Sequence, residues 1–567
     1  DIDVLAPDVT ERDEQLASEL MTDAEIASHV RAIDDLIAEH ESTLVFVNTR
    51  QTAEALGSRL KELGTDIGIH HGSLSRDARI DIETAFKDGE VDGLMCTSSM
   101  ELGIDVGRVD HVIQYNSPRQ VCRLLQRVGR AGHRRGAVSS GTIIAGHSDD
   151  VVESLSIMRR AEAGEVETAQ IHYGTLDTVA NQIAGLVMDF GDIGAMKAYS
   201  IVTRAYPFAD LTKRDFKRVI RELAGNRVIW LDEDEDRLEK RQGTWQYFYQ
   251  NLSMIPDEAT YDVEDVASGS QVGTLDERFV VNFAQPGEIF IQRGEMWRIT
   301  EVDEEEETVT VSPIEDPSGE VPSWTGQEIP VPEHVAQEGG ELRSVAVRQL
   351  RNGAETDAVA RDIGRRYDAD VGTITAGLEP LAEHAAGDAP IPTDDTILVE
   401  FTAESIVVNA AFGHKVNETL GRLLSALLGQ QSGSTVGLDV DPYRIELDVP
   451  RGVTAGDVVG LLEETDPDHV GHLIELSLKN ADALKFKLAQ VATKFGALKR
   501  WRGSGQSGFG RSRLLAALED TPIYDEAIRE IRHEELAIER TQAVLAAIQS
   551  GRLAVETVGE LTPIGTG

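Results

Sequence analysis

The first 160 residues alternate between amphipathic helical patterns and short apolar runs, and this alternation restricts the possible folds more than any other feature. Apolar residues recur at near-helical spacing over 16–40, 51–63, 76–87 and 119–128. Between and after these helices, apolar runs predict strands at 43–47, 67–70, 93–97, 109–115 and 141–145. Alternating strands and helices are typical of a parallel sheet with crossover helices. We therefore predict a doubly wound α/β domain over residues 1–165.

The pattern changes along the rest of the chain, whose 567 residues are too many for one hydrophobic core. Residues 166–260 predict three helices and then a hairpin with strands at 228–231 and 244–249, which is a winged-helix pattern. Short β runs between glycine, proline or acidic turns predict a small β-barrel over 261–345. Residues 346–567 mix long helices with strands. The predicted fold class is therefore multidomain, α/β and α+β, with a mixed α+β C-terminal domain.

The charge of the chain is strongly negative, at -45, because 99 acidic residues face 54 basic ones. Such an excess ordinarily argues against a nucleic-acid partner, since phosphate binding depends on basic surface. The acidic residues are dispersed, however, and only 12 of the basic residues are lysines. This combination is typical of a protein that stays soluble in concentrated salt, where charge repulsion is screened. We interpret the charge as a halophilic adaptation that does not exclude nucleic acid.

The sequence carries no sign of export or of a metal-ligand set. It has no run of about 18 apolar residues that would predict a transmembrane helix. The acidic stretch 1–14 does not resemble a signal peptide, and Cys96 and Cys122 are too few for a disulfide framework or a zinc site. We expect a cytoplasmic protein. Because the chain starts with Asp1 and part-way through a motif series, we interpret it as a fragment.

The strongest chemical signal is the segment Q-R-V-G-R-A-G-H-R at residues 126–134. It places Arg127 and Arg130 three residues apart at a helix end, with glycines that let the backbone turn. Arginine suits a developing phosphoryl charge, because its guanidinium is always protonated and can donate two parallel hydrogen bonds. An arginine finger can accelerate nucleotide hydrolysis by several powers of ten. The alternative is a basic turn with ordinary salt bridges.

Three further segments precede this one. They are L-V-F-V-N-T-R at 44–50, H-H-G-S-L-S-R at 70–76 and C-T-S-S-M-E-L-G-I-D-V at 96–106. In order and spacing, the four segments resemble motifs IV, IVa, V and VI in the second motor domain of superfamily 2 helicases. An ordinary basic turn does not account for four motifs in register.

The resemblance implies a role for individual residues. Arg127 and Arg130 match arginine fingers that reach the γ-phosphate held by the partner motor domain. The motif V positions that contact the nucleotide and couple it to nucleic acid correspond to Gly103 and Asp105. Positions along the phosphodiester backbone correspond to Arg50, Ser73 and Thr97, where hydroxyl and guanidinium groups can bind phosphate without reading sequence. For His71, a backbone contact and a structural role remain equally open.

The phosphate-binding half of such an ATPase is missing from the sequence. There is no G-x-x-x-x-G-K-[ST] segment and no D-E-x-H or D-E-x-D segment after an apolar strand. The acidic segments at 232–236 and 276–279 have the wrong context, as a polar turn and the start of a strand. We therefore expect ATP and Mg²⁺ to be bound mainly by a first motor domain in cis, and the chain alone to be ATPase-inactive.

Additional segments narrow the resemblance to Lhr-type helicases. They include S-M-I-P-D, G-T-L-D-E-R-F-V, V-P-S-W-T-G and F-G-H-K-V-N-E-T-L-G, and the matches extend from residue 43 to the 530s. This resemblance implies an ATP-dependent translocase that moves 3′ to 5′ on single-stranded nucleic acid and unwinds DNA or RNA–DNA duplexes. The alternative is a non-enzymatic single-strand-binding scaffold derived from a helicase. Retention of both candidate finger arginines argues against that alternative.

A few side chains outside the motor are candidate nucleic-acid contacts. Trp324 lies between proline and glycine in P-S-W-T-G-Q, which favours an exposed residue that stacks on bases over one that caps the barrel core. Ile255 is expected at a loop tip, where it could insert between bases. Trp297 lies inside a predicted strand and is expected in the core. The basic stretch 494–513 is either a contact to the nucleic-acid backbone or a solvated loop.

Overall fold

The computed structural model of the chain describes residues 1–74, 76–101, 107–132, 138–255, 260–276, 280, 284, 286–292, 295–303, 307–314, 329–402, 405–479, 481–498 and 514–565. Within these ranges no helix is both long and apolar enough to cross a membrane.

The first unit is built on a six-stranded sheet. Its strands are β1 (Ile2–Leu5), β2 (Thr43–Phe46), β3 (Ile67–His70), β4 (Gly93–Cys96), β5 (His111–Tyr115) and β6 (Gly141–Ile144). They lie in the order β1-β6-β5-β2-β4-β3, and all five pairings are parallel. The predicted parallel sheet is confirmed. Strand β1 is an additional edge strand that the sequence pattern did not reveal.

Helices cover both faces of this sheet. They are α1 (Glu11–Glu19), α2 (Ala24–Ala38), α3 (Arg50–Leu63), α4 (Arg76–Asp88), α5 (Val121–Val128) and α6 (Ser148–Ala163). Successive residues of β2 alternate between two cores, with Leu44 and Phe46 on one face and Val45 on the other. Because both faces are covered, only the strand ends and their loops can carry a site.

The second unit has the winged-helix order of elements. It comprises α7 (Leu176–Phe190), β7 (Asp192–Gly194), α8 (Ala195–Val202), α9 (Lys213–Gly225), β8 (Ile229–Asp232), β9 (Arg237–Lys240) and α10 (Thr244–Gln250). The strands form an antiparallel sheet in the order β7-β9-β8. The predicted winged helix is therefore present, with α9 as its third helix.

The predicted hairpin strand at 244–249 was wrong, because this segment is helix α10 and the partner of β8 is β9. Its aromatic residues favour a strand by propensity alone. Tertiary contacts override that preference: the Thr244 hydroxyl donates to the carbonyl of Val228, and the buried Tyr247 hydroxyl donates to the carbonyl of Lys494.

The third unit is a five-stranded sheet. Its strands are β10 (Thr260–Asp265), β11 (Gln271–Asp276), β12 (Ile289–Gln292), β13 (Glu295–Asp303) and β14 (Thr308–Pro313), in the order β11-β10-β14-β13-β12. Within the described residues, β11 and β12 are its two edges. Trp297 is 6% exposed in the core of this sheet, as predicted.

Three helices connect this sheet to the last unit. They are α11 (Glu333–Arg351), α12 (Thr356–Tyr367) and α13 (Val371–Ala385), and all three contact α6 of the first unit. The predicted domain boundary at residue 345 falls inside α11. These helices therefore share a core with the first unit.

The last unit has a second five-stranded sheet covered by helices. Its strands are β15 (Thr396–Phe401), β16 (Ser405–Asn409), β17 (Gly437–Val440), β18 (Arg444–Asp448) and β19 (Ala554–Val558), in the order β17-β18-β16-β15-β19. The helices are α14 (His414–Ser432), α15 (Ala455–Glu464), α16 (Val470–Leu478), α17 (Asp482–Lys494), α18 (Pro522–Glu535) and α19 (Ile538–Gln549). One hydrophobic core joins this unit to the winged helix.

Candidate active site at the edge of the six-stranded sheet

The candidate site lies where the parallel strands of the first unit end. Asn48 follows β2, Glu101 follows β4 and Gln114 belongs to β5. In a parallel sheet these carboxyl ends share one edge, which is where α/β proteins bind their ligands. Helix α5 brings Arg127 to the same edge, and Arg130 follows the end of this helix.

Arg127 is the most deeply buried of these arginines, with a side chain 1% exposed. Its guanidinium donates to Glu101 Oε1 from Nε (2.8 Å) and Nη2 (2.5 Å). Its Nη1 donates to Asn48 Oδ1 at 3.1 Å and to Gln114 Oε1 at 2.5 Å. Burial lowers the pKa of Arg127, while Glu101 opposes this shift. Arg127 therefore ties together the ends of β2, β4 and β5.

This geometry corrects the expected role of Arg127. A guanidinium that is buried and bonded to three side chains does not face a neighbouring domain, so in this conformation it cannot reach a γ-phosphate there. The physical reason is the cost of burying a cation, which requires partners on all sides. This environment favours a positioning role for Arg127 over the predicted finger role.

Arg130 has a different environment. It follows α5, it is partly exposed, and its Nη2 donates to the backbone carbonyl of Glu101 at 2.5 Å. Its backbone N–H donates to the carbonyl of Arg127 at 3.0 Å. Arg130 is thus placed at the sheet edge with solvent access, as an arginine that contacts a nucleotide would have to be.

Glu101 is a functional candidate that the sequence analysis missed. Its carboxylate is bonded by Arg127 and also by Arg123, at 3.0 and 3.1 Å, and its carbonyl is bonded by Arg130. The three arginines are spaced four and three residues apart, which puts them on one helical face. The spacing of these three arginines was the feature of the sequence that could have indicated a shared acidic partner such as Glu101.

Three predicted site residues lie outside the described part of the chain. Gly103 and Asp105 fall in 102–106, and Trp324 falls in 315–328. Their roles stay predictions.

The predicted backbone contacts lie at the ends of adjacent strands. The Arg50 guanidinium, at the start of α3, donates to the Ser73 hydroxyl, which follows β3. Thr97 follows β4 and is largely buried. His71 is buried and its Nε2 lies 2.8 Å from Glu54 Oε1, which favours the structural alternative for this residue. Arg50 and Ser73 are therefore brought together, next to Thr97 on the same edge.

Ile255 belongs to a different part of the molecule. It lies after α10 in the winged-helix unit and is 81% exposed. Leu252, three residues earlier, is 66% exposed. The exposure that the prediction required is therefore present.

Lys494 corrects one alternative for the basic stretch. Its ammonium group is buried and donates to Asp177 Oδ2 at 2.9 Å and Glu530 Oε1 at 3.0 Å. Lys494 therefore joins α17 to α7 and α18 and does not contact nucleic acid. Together with Glu526, these two carboxylates form a cluster that could hold a metal ion by spacing, but the ammonium already supplies its positive charge. Residues 499–513 lie outside the described ranges.

Comparison with known protein families matches three consecutive parts of the chain. Residues 28–135 match the helicase conserved C-terminal domain, 159–320 match the winged helix domain of large helicase-related protein, and 391–565 match the DEAD/H associated domain. These three parts of the chain are therefore similar to the C-terminal region of Lhr-type superfamily 2 helicases. The candidate site lies within the first of these matches.

Individual relatives with the same similarity are ATP-dependent helicases by name. The ATP-dependent helicase Lhr-Core protein 2 of Thermococcus barophilus is 30% identical, over 94% of this chain and 64% of that protein. The ATP-dependent helicase Lhr-Core of Methanocaldococcus jannaschii is 30% identical, over 89% of this chain and 60% of that protein. The chain therefore spans less than two thirds of the length of either relative.

A solved structure has a similar fold. The Mycobacterium smegmatis helicase Lhr, solved with single-stranded DNA and AMP-PNP, superposes with a TM-score of 0.74 at 22% identity. The similarity covers 100% of this chain and 70% of that one. The multidomain α/β and α+β fold is thus the same.

Proposed function

We propose that this chain forms the second motor domain and the accessory domains of an ATP-dependent 3′-to-5′ nucleic-acid translocase that unwinds DNA or RNA–DNA duplexes. The proposal depends on one observation, the cluster of three arginines around Glu101 that holds Arg130 at the carboxyl edge of the sheet. Its relatives are named ATP-dependent helicases. The structurally similar mycobacterial Lhr was solved with single-stranded DNA and a nucleotide analogue.

Arg127 and Arg130 have different roles in this proposal. Arg130 is the finger that stabilises negative charge on the γ-phosphate as it is transferred to water. Arg127 is a positioning residue, because it fixes Glu101 and thereby the carbonyl that Arg130 binds. Gly103 and Asp105 contact the nucleotide.

ATP and Mg²⁺ are held mainly by the first motor domain in cis. The arginine guanidinium groups at this edge fit a phosphate anion and do not bind Mg²⁺, and the Glu101 carboxylate is already bonded by Arg123 and Arg127. Mg²⁺ held by the first motor domain would neutralise phosphate charge, to which this chain would add the guanidinium of Arg130.

Single-stranded DNA or RNA follows the motor edge past Arg50, Ser73 and Thr97. Hydroxyl and guanidinium groups at the ends of β2, β3 and β4 can bind successive phosphates without reading sequence. Ile255 and Trp324 contact bases, by insertion and by stacking respectively.

The test joins the chain to a first motor domain and compares this joined protein with its Arg130→Ala variant and with the chain alone. Arg130→Ala should lower kcat for ATP hydrolysis by at least about 100-fold, while single-strand affinity changes little. The chain alone should show no ATP hydrolysis. Loss of single-strand binding with unchanged turnover per bound complex would contradict the finger assignment. A joined protein that binds but never hydrolyses ATP would favour the scaffold alternative.

A further inference from the structure

The winged helix contains a basic region that the overall charge conceals. Residues 193–231 include eight basic side chains and three acidic ones, in a chain whose net charge is -45. The basic residues are Lys197, Arg204, Lys213, Arg214, Lys217, Arg218, Arg221 and Arg227. Five of the eight lie on helix α9. Positive charge is therefore concentrated on the third helix of this unit.

Helix α9 has two distinct faces. Phe216, Val219, Ile220 and Leu223 are buried in the core that the winged helix shares with the C-terminal unit. On the other side, Lys213, Arg214 and Lys217 are exposed. We call these three residues the α9 basic face.

The α9 basic face differs from its neighbours in forming no close ion pair within the described residues, although Lys217 adds to the effect of Arg221 in lowering the pKa of Glu233. Arg218 is paired with Asp525, and Arg221 is paired with Glu233 at 2.8 Å. Lys213, Arg214 and Lys217 form no ion pair with any residue in the part of the chain that the structure describes. An exposed cation can stay solvated, so it is the clustering of three cations on one helix face of so acidic a molecule that favours an anion from outside it.

The surroundings of the α9 basic face restrict that anion. The only aromatic residue of α9, Phe216, is buried, so this face offers no platform on which unpaired bases could stack. It also carries no asparagine or glutamine to read adenine. The neighbouring wing, 232–236, is acidic, with Asp234 and Glu235 exposed. A nucleic acid that approaches here meets positive charge on α9 and negative charge on the wing, and the cations of α9 can bind its phosphates without reading sequence.

We infer that the α9 basic face binds the phosphodiester backbone of the duplex arm of the substrate. This inference rests on the proposed function and adds a second contact, separate from the single-strand path at the motor edge. The third helix of a helix-turn-helix unit is the element that docks against a duplex, and a major groove about 12 Å wide admits a helix. Contacts to phosphate position the duplex and do not select its sequence.

The test measures binding of the purified 567-residue chain to a blunt DNA duplex and to a single strand of the same length. The variant is Lys213→Ala/Arg214→Ala/Lys217→Ala. Loss of three phosphate contacts should reduce the slope of log affinity against log salt concentration by about 2.7. The variant should therefore bind the duplex about 80-fold more weakly than the unmodified chain at about 0.2 M salt, and equally well near about 1 M. Single-strand affinity should be unchanged.

The matched control removes the same charge elsewhere. Arg12, Lys61 and Arg451 are also exposed, and Arg12→Ala/Lys61→Ala/Arg451→Ala should leave duplex affinity unchanged. A reciprocal variant, Asp234→Asn/Glu235→Gln, should raise duplex affinity at low salt, because it removes repulsion from the wing. This gain should disappear near about 1 M salt, where the Debye length is about 3 Å. Melting curves of each variant check that the fold is kept.

The outcomes separate this inference from the proposed function. If the chain binds single strands but the α9 variant and the control bind duplex alike, the inference is wrong and the translocase proposal stands. If the α9 variant loses single-strand and duplex binding equally, the contact is not specific to the duplex and the inference is also wrong. If the chain binds neither nucleic acid, both proposals fail.

Discussion

Helices α5 and α9 are both rich in cations, yet they use them in opposite ways. The arginines of α5 and the turn after it converge on Glu101, and Arg127 is entirely enclosed. Helix α9 buries an apolar face and leaves Lys213, Arg214 and Lys217 exposed. A buried charge needs fixed partners, whereas an exposed one costs little to leave solvated. The cations of α5 therefore fix the positions of neighbouring side chains, whereas those of α9 remain accessible to a ligand.

The largest expected difference between the helices is in stability. Arg127→Ala leaves Glu101, Asn48 and Gln114 without their buried donor, and should lower the free energy of unfolding by about 3–5 kcal/mol. Neutralising the α9 basic face should change it by no more than about 0.5 kcal/mol, because those residues are exposed. Denaturant unfolding of both variants measures the difference. Equal, small effects would mean that Arg127 is not a positioning residue, and would restore its candidacy as a finger.

Two tryptophans extend the comparison to uncharged side chains. Trp297 is buried in the five-stranded sheet, so Trp297→Ala should cost about 3–5 kcal/mol of stability. Trp324→Ala should leave the melting temperature nearly unchanged and weaken single-strand binding by about 1–3 kcal/mol, even in high salt, because stacking is not screened. If Trp324→Ala destabilises the protein and Trp297→Ala does not, the assignment of core and contact residues in this unit is inverted.

Glu526 is a buried acidic residue that, unlike Arg127, has too few hydrogen-bond partners. Its Oε2 accepts the Leu176 N–H at 2.7 Å, but its Oε1 has no hydrogen-bond partner among the described residues. Burial, and then the charge of Asp177, raise its pKa from 4.5 to about 8. The folded state therefore keeps a proton that the unfolded state releases above 4.5.

Stability should accordingly fall as the pH rises from 4.5 to about 8, and the penalty is complete above that range. Glu526→Gln removes this titration and leaves the neighbouring His172 and Lys494 in place. The melting temperature of the variant relative to the unmodified chain should therefore increase across this range. A constant difference would show that Glu526 is already ionised in the fold.

The smallest expected change in stability per charged residue comes from salt acting on the whole acidic surface. If the charge of -45 is a halophilic adaptation, the melting temperature should rise between about 0.2 and 2 M KCl, because screening shortens the Debye length over this range. The α9 variant, which makes the chain more negative, should show a rise at least as steep. A flat or falling curve would refute the halophilic interpretation.

Local pattern was sufficient to predict the motor sheet but not the chemistry of its edge. Each predicted strand of that sheet is present, because a strand buried on both faces requires a continuous apolar run. The apolar run of the edge strand β1 is interrupted by Asp3, and so it carried no such signal. The role of Arg127 could not be predicted from spacing, since burial depends on Glu101 and Gln114 in other segments.

The winged helix shows a different limit. The segment 244–249 has strand propensity and becomes helix α10 through contacts to Val228 and Lys494 that lie far along the chain. The sequence predicted nucleic-acid contacts at Arg50, Ser73, Thr97, Ile255 and Trp324 and, as one alternative, in the basic stretch 494–513. It did not indicate the α9 basic face, because the cations of this face are interspersed with the apolar positions of an amphipathic helix. Lys494, chosen for its charge, proved to be internal.

The parallel pairing of β15 with β19 has a consequence for how the protein is made. These strands are adjacent in space, yet β15 is translated more than 150 residues before β19. During synthesis, the edge of β15 that later pairs with β19 stays unpaired, and an unpaired strand edge can form hydrogen bonds with other chains. Long-range pairing of this kind also slows folding. Nascent chains that stall before residue 554 should therefore be the species that most need a chaperone.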